Sequence, residues 1–232
     1  MTHVAFLRAI NVGGRAVVKM SALKMAFERA GCRNVRTFIA SGNVLFEAPA
    51  KLPAMLRAAI SRELVRLFGT MPGVCYRTLD EIEALIATNP FGEQTSDKAL
   101  KLYVAFMDRL PARLPALPIH VEKELVEITL IRAADMMIVS RRKPNGMYGF
   151  PNACVEQLGV VATTRNWNTV TRVAAFARKD GSERAASAPP QRRGDANASP
   201  CSATQSRRGD RAAMRSGPAA TGGRAGSRSR AS

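Results

Sequence analysis

Histidine is almost missing from this chain: His3 and His120 are the only two in 232 residues. Neither has an Asp, Ser or Cys companion nearby in sequence, so a histidine-centred triad finds no support. Cysteine is nearly as sparse. Cys32, Cys75, Cys154 and Cys201 are far apart and form no C-x-x-C pair, which excludes a disulfide framework and a cysteine metal site. The first three have apolar neighbours and read as small core fillers. H-E-x-x-H, G-x-S-x-G, paired-carboxylate and metal-ligand spacings are all absent, so no metal or cofactor is implied. No apolar run approaches the roughly 18 residues of a membrane helix. The chain begins straight into a strand, with no cationic segment and apolar core of an export signal, so a cytoplasmic location is expected.

Acidic residues are also in short supply. Lys and Arg number 35 against 18 Asp and Glu, a formal charge of +17. Residues 1–179 carry +11 of it and residues 180–232 carry +6. Such an excess favours polyanionic partners, nucleic acid above all, unless it only reflects an Arg-rich proteome. From Asp180 onward no Leu, Ile, Val, Phe, Trp or Tyr occurs. Residues 180–232 are therefore expected to be a disordered, basic, low-complexity tail.

What is present reads as an α+β chain. Residues 3–10 are apolar except at His3 and Arg8, as in a strand buried on both faces. Gly13-Gly14 follows, and Ser21 is the expected N-cap of a helix over 22–30. Two apolar runs flank Ser41-Gly42-Asn43, a hairpin signal. The spacing of Leu52, Leu56, Ile60, Leu64 and Leu67 predicts a second helix ending at Gly69. Val74–Tyr76 would be the next strand. The order β-α-β-β-α-β is ferredoxin-like, which assigns residues 1–78 to a ferredoxin-like half. Thr78-Leu79-Asp80-Glu81 has the spacing of a capping box. Strands over 100–107, 126–131 and 135–140, a helix over 153–158 and a last helix over 166–178 place residues 79–179 in a second, smaller α+β half packed on the first.

Three polar stretches stand out because a core needs none of their Arg or Asn. The first is Arg8 to Arg15, with Asn11, Gly13 and Gly14. The second is Ser41-Gly42-Asn43. The third, Thr163 to Asn168, would open the last helix, with Thr164 as N-cap, Arg165 in its first turn or just before it, and Asn166, Trp167 and Asn168 following. A helix start beside an Arg and two Asn suits an anion, and a glycine turn between cations can cradle phosphate. Equally, these residues can be turns and caps satisfied within the protein.

Together, Leu7 to Gly14, Ser41 to Val44 and Thr163 to Val170 closely resemble the bacterial family catalogued as domain of unknown function 1697, over about residues 2–178. That resemblance implies an α+β protein with a ferredoxin-like component and supplies no activity. The expected function is binding of a phosphate-bearing ligand, nucleotide or nucleic acid, at the three stretches. Arg8 and Arg165 would pair with it, Asn11, Asn43 and Asn166 would orient it, and Gly13, Gly14 and Gly42 would let backbone approach. Two alternatives stand beside it: an enzyme acting on a nucleotide or phosphorylated metabolite, and a structural or protein-interaction module without a small ligand.

Overall fold

The apolar opening of the chain is explained by where the first strand lies. The computed structural model describes residues 1–8, 10, 18–149, 151, 155 and 158–187. In it, β1 (Thr2–Leu7) is an interior strand of a four-stranded sheet. Its partners are β3 (Asn43–Glu47) and β4 (Val74–Thr78), and β2 (Arg33–Phe38) lies outside β3. Every pairing is antiparallel. Successive side chains leave opposite faces of a strand. Ala5 and Leu7 therefore join Val44 and Phe46 beneath α1 (Met20–Arg29) and α2 (Ala54–Phe68), which contribute Leu23, Phe27, Ile60 and Leu64. Val4 and Phe6 face the other way.

That other face meets a second sheet. It comprises β5 (Leu100–Met107), β6 (Ile119–Val121), β7 (Val126–Arg132), β8 (Asp135–Arg141) and β9 (Ala162–Asn166), in the antiparallel order β6-β7-β8-β5-β9. Val4, Phe6 and Leu45 pack with Leu102, Val104 and Phe106 of β5 and Met137 and Val139 of β8. Ile82 and Leu85 of α3 (Leu79–Ala87) and Trp167, Val170, Val173 and Ala177 of α4 (Trp167–Ser187) complete this shared core. The protein is thus a mixed α/β fold of two antiparallel sheets and four helices among the described residues. None of these helices is long and apolar enough to cross a membrane.

Two cations, Arg165 buried and Arg77 nearly so, tie the sheets together. Phe6 and Phe106 stack with ring centroids 4.2 Å apart, one ring from each sheet. Arg165 lies 5.6 Å from the Phe6 centroid and Arg77 lies 5.5 Å from that of Phe106. Arg77, on β4, also bonds Asp135 Oδ1 through Nε at 2.9 Å and Nη2 at 2.7 Å, and reaches the carbonyls of Met107 and Ala134. It therefore clamps the edge of the first sheet to the β7–β8 turn of the second.

Several expectations need correcting at element ends. The first helix starts at Met20 with Lys19 at the cap position and no side-chain bond there, so Ser21 lies inside it. A cap contributes only about 1 kcal/mol, less than seating Leu23 and Phe27 in the core. The last helix starts at Trp167 rather than Asn166 and runs to Ser187, beyond the expected tail boundary at Asp180. Ala, Glu and Arg at 183–186 are good helix formers, and Gly181 is the only poor one before Pro189. The predicted helix over 153–158 and the rest of the tail, 188–232, lie outside the described residues apart from Val155 and Leu158, both packed in a third core cluster with Ala105, Met107 and Ile128.

Glu63 is buried on α2 and accepts a 2.7 Å bond from Arg29 Nε of α1 and another from Arg66. The Arg29 bond, helped by the charges of Arg66 and Arg29, outweighs desolvation and holds its carboxyl below the usual Glu range. Its folded pKa is therefore depressed, so its contribution is present above the unfolded value and is lost as pH falls through the folded one. Glu63→Gln should make unfolding midpoints in urea fall less steeply between about pH 5 and about pH 3 than in the wild type.

Candidate functional site

Described residues of the three polar stretches, Arg8 from the first among them, meet at one place, and the third does so by a different route from the one the sequence suggests. Thr163 to Asn166 belongs to a strand, β9, with Arg165 opposite Val104 of β5. β-branched Thr163 and Thr164 fit a pleated surface better than a first helical turn. The N-cap is consequently Asn166, whose Oδ1 accepts from the Asn168 backbone N–H at 2.9 Å, and not Thr164.

From β9 the Arg165 side chain crosses to the first sheet, where only 8% of it is exposed. Its Nε donates to Asn43 Oδ1 at 2.6 Å, and Nη1 donates to Thr163 Oγ1 at 2.8 Å and the Thr164 carbonyl at 2.9 Å. Nη2 reaches the carbonyls of Leu7 at 2.8 Å, Ser41 at 2.9 Å and Gly42 at 3.3 Å. The end of the first strand and the Ser41-Gly42-Asn43 turn are thus held by one guanidinium. Asn43, fully buried, spends its remaining N–H groups on Phe38 O and Ser41 Oγ. Oxygens of the protein occupy the donors that the sequence reserved for an anion. None of those partners is a carboxylate, and desolvation pulls the guanidinium pKa down to about 10.

Gly42 completes the joint. Its φ is +74°, and a Cβ there would stand 2.8 Å from Ile10 Cγ1 and 3.1 Å from Leu7 Cβ. Only glycine meets both conditions without strain.

A pocket of about 670 Å³ opens beside this joint. Arg8, Ile10, Ser41 and Thr163 to Asn166 form one wall. Lys101 and Tyr103, which alternate along β5, form another, and residues 146–149 with Pro151 close it. Burial raises the pKa of Tyr103. The Lys101 ammonium sits 4.2 Å from the centroid of Tyr148. Arg8, Lys101 and Arg165 all line the space, and no Asp or Glu is found among the described lining residues. Gly149 permits the closing segment to dock, because a Cβ there would fall 1.7 Å from the Glu124 carbonyl oxygen.

Ile39, at the mouth, has φ of +48° and is 43% exposed. A β-branched residue in the left-handed region is a genuine outlier, and strain of that kind gathers at functional sites.

Of the residues singled out from sequence, Arg8, Ser41, Arg165 and Asn166 line this pocket. Gly42 and Asn43 build its joint from behind. Trp167 lies in the shared core, edge-on to Phe91 at 5.2 Å, and Asn168 is exposed beside it. Asn11, Gly13 and Gly14 lie outside the described residues. Lys101, Tyr103 and Ile39 were not anticipated as site residues. The signal for the first two was present: they are the first two odd positions of a strand whose even positions, Leu102, Val104 and Phe106, serve the core shared with the first sheet. Among the described residues no cluster of His, Cys, Asp and Glu could hold a metal ion.

The family model described as "Protein of unknown function (DUF1697)" matches residues 1–129, and the chain belongs to that family. The match contains the first two polar stretches and stops before the third. Among solved structures, the conserved bacterial protein SP0830 from Streptococcus pneumoniae is similar, with a TM-score of 0.50 and 18% identity over 75% of this chain and 97% of that one. At that identity the likeness concerns the fold. No curated protein matches the chain.

Proposed function

We propose that this protein binds a small phosphate-bearing molecule of the nucleotide class in the pocket lined by Arg8, Tyr103 and Arg165. The observation that carries this reading is the charge of the lining. Three cations line the space with no carboxylate among its described lining residues, and one of them, Arg165, is buried among neutral dipoles. A buried charge without a counter-charge is costly, and an anion in the pocket would offset that cost at short range even though the guanidinium donors are taken. Lys101 makes the direct phosphate contact, and Tyr103, Ile10 and Met147 receive the apolar face of a base. The size favours a small molecule over an extended strand of nucleic acid, since ligand pockets run from about 300 to about 1,000 Å³. Asn11, Gly13 and Gly14 enter through sequence alone, as the residues that follow Ile10. The β-α-β-β-α-β order with strands arranged β2-β3-β1-β4 supports reading the first sheet as ferredoxin-like.

Calorimetric titration of the full chain with AMP, ADP, ATP and inorganic phosphate tests this. Saturable binding is expected, and Lys101→Glu should weaken it at least about tenfold, the loss of roughly 1.5–3 kcal/mol for a charged hydrogen bond. A folded protein giving no binding heat across the panel sinks the reading. Release of phosphate during the titration would turn it toward the enzymatic alternative.

A further inference from the structure

A second pocket, of about 370 Å³, adjoins the first and differs from it in chemistry. Gln94, Thr95, Asp97 and Asn168 line it with amide, hydroxyl and carboxylate groups, over a floor that includes Trp167. Lys101, Tyr148 and Asn166 line both spaces. These three residues stand at the border between the two spaces, and two of them touch each other there. The Lys101 ammonium rests on the Tyr148 ring at 4.2 Å, and the Tyr148 hydroxyl reaches the Lys98 carbonyl at a long 3.4 Å. A cation–π contact at a solvent-accessible site is weak, so a ligand phosphate can draw Lys101 from the ring.

We infer that the two pockets form one bipartite site for a nucleoside diphosphate carrying a sugar on its terminal phosphate. This deepens the function proposed above and rests on it. The charge pattern sets the orientation. The first pocket, without a carboxylate among its described lining residues, takes the nucleoside end, and the diphosphate lies at Lys101 on the border. The second pocket holds Asp97, which repels phosphate but accepts hydrogen bonds from adjacent sugar hydroxyls, with Gln94 and Asn168 supplying further donors and acceptors. One Asp97 oxygen already accepts from the Ala99 N–H at 2.7 Å, which orients the carboxylate.

ADP and ADP-ribose differ by the terminal sugar alone and serve as the probes, titrated calorimetrically into the full chain. Trp167, the chain's only tryptophan, borders the polar pocket and not the first, so its fluorescence reports occupancy of that pocket. ADP-ribose should bind at least tenfold more tightly than ADP and change Trp167 emission, whereas ADP should leave that emission flat. Gln94→Ala should bring the affinity for ADP-ribose down to that for ADP. Equal affinities, or an ADP-ribose complex with unchanged Trp167 emission, would overturn the bipartite site and leave the nucleotide pocket standing. Failure of both probes to bind a folded chain would overturn the two readings together.

Discussion

Arg165→Ala should lower the unfolding free energy by roughly 3–5 kcal/mol, because each buried acceptor left without a donor costs about 1–3 kcal/mol and several are stranded at once. Those acceptors are Asn43 Oδ1 and the carbonyls of Ser41 and Leu7, the last left with a long 3.4 Å contact from Thr163 Oγ1, whereas the Gly42 carbonyl keeps the Leu7 N–H. The figure is less than their simple sum, since removing a buried charge with no carboxylate partner returns part of its desolvation cost. Arg165→Lys should be nearly as damaging, because an ammonium has three donors on one atom and cannot span the fork from Asn43 to Thr163. Urea unfolding of both variants decides it. A loss below about 1 kcal/mol for the alanine variant would mean that the joint is held by the backbone bond from Leu7 N to Gly42 O and not by the guanidinium. The measurement also bears on function. Were Arg165 chiefly an anion contact, the variant would stay stable and lose only ligand.

Arg77→Ala should cost about 3–5 kcal/mol, the loss typical when one partner of a buried ion pair is removed. The side chains of Arg77 and Asp135 are only 11% and 12% exposed, so the abandoned carboxylate would regain only part of its hydration. The pair is nevertheless weak evidence of net stabilisation. Burial raises the pKa of Asp135 in spite of the attraction and hydrogen bond from Arg77, which means desolvation outweighs the pairing. The combined replacement Arg77→Met with Asp135→Leu should therefore recover most of the single-variant loss. A pH series gives an independent check. The folded pKa of Asp135 is raised, so its contribution is full below the ordinary Asp value and is lost as pH climbs through the raised one. This is opposite in sign to Glu63. Comparing Asp135→Asn with the wild type across the acid range should show the wild type losing relative stability as pH rises. A double variant no more stable than Arg77→Ala would show that the carbonyl bonds to Met107 and Ala134, and not the charge pair, hold the sheets at this edge.

Much of this architecture is legible locally. Thr78 and Glu81 form both bonds of the capping box that their spacing announces, and Gly69 ends α2 at φ of +78°. The turn at Ser41-Gly42-Asn43 is legible because its torsions must be met by its own residues. Arg165 is not, for two reasons. Thr-Thr-Arg-Asn before an apolar stripe suits a capped helix and an edge strand alike, and pairing with β5 decides between them only in the folded molecule. Its partners on the first sheet are also 122 to 158 residues away in sequence, beyond any local pattern. The second wall of the pocket escaped notice because β5 reads as a core strand, although its alternate face carries Lys101 and Tyr103. The structure brings Arg8, Ser41, Arg165 and Asn166 to one pocket, although they come from three separate parts of the sequence. What the Arg does there differs from what its residue type suggests.

The order in which the chain is made sets a condition on how this fold is reached. Val4 and Phe6 are synthesised long before the last helix, yet the core they enter is closed by Trp167, Val170 and Val173 of that helix. A ribosome adding about 5–20 residues per second leaves that face of β1 uncovered for some ten seconds or more. The second sheet behaves alike, since β8 lies between β7 and β5 and neither can pair across the gap before it arrives. Truncation after residue 129, where the family match ends, would keep β5, β6 and most of β7 but remove the strand that joins them. Nascent chains arrested at that length should therefore be readily proteolysed, and protection should appear only once α4 has cleared the exit tunnel.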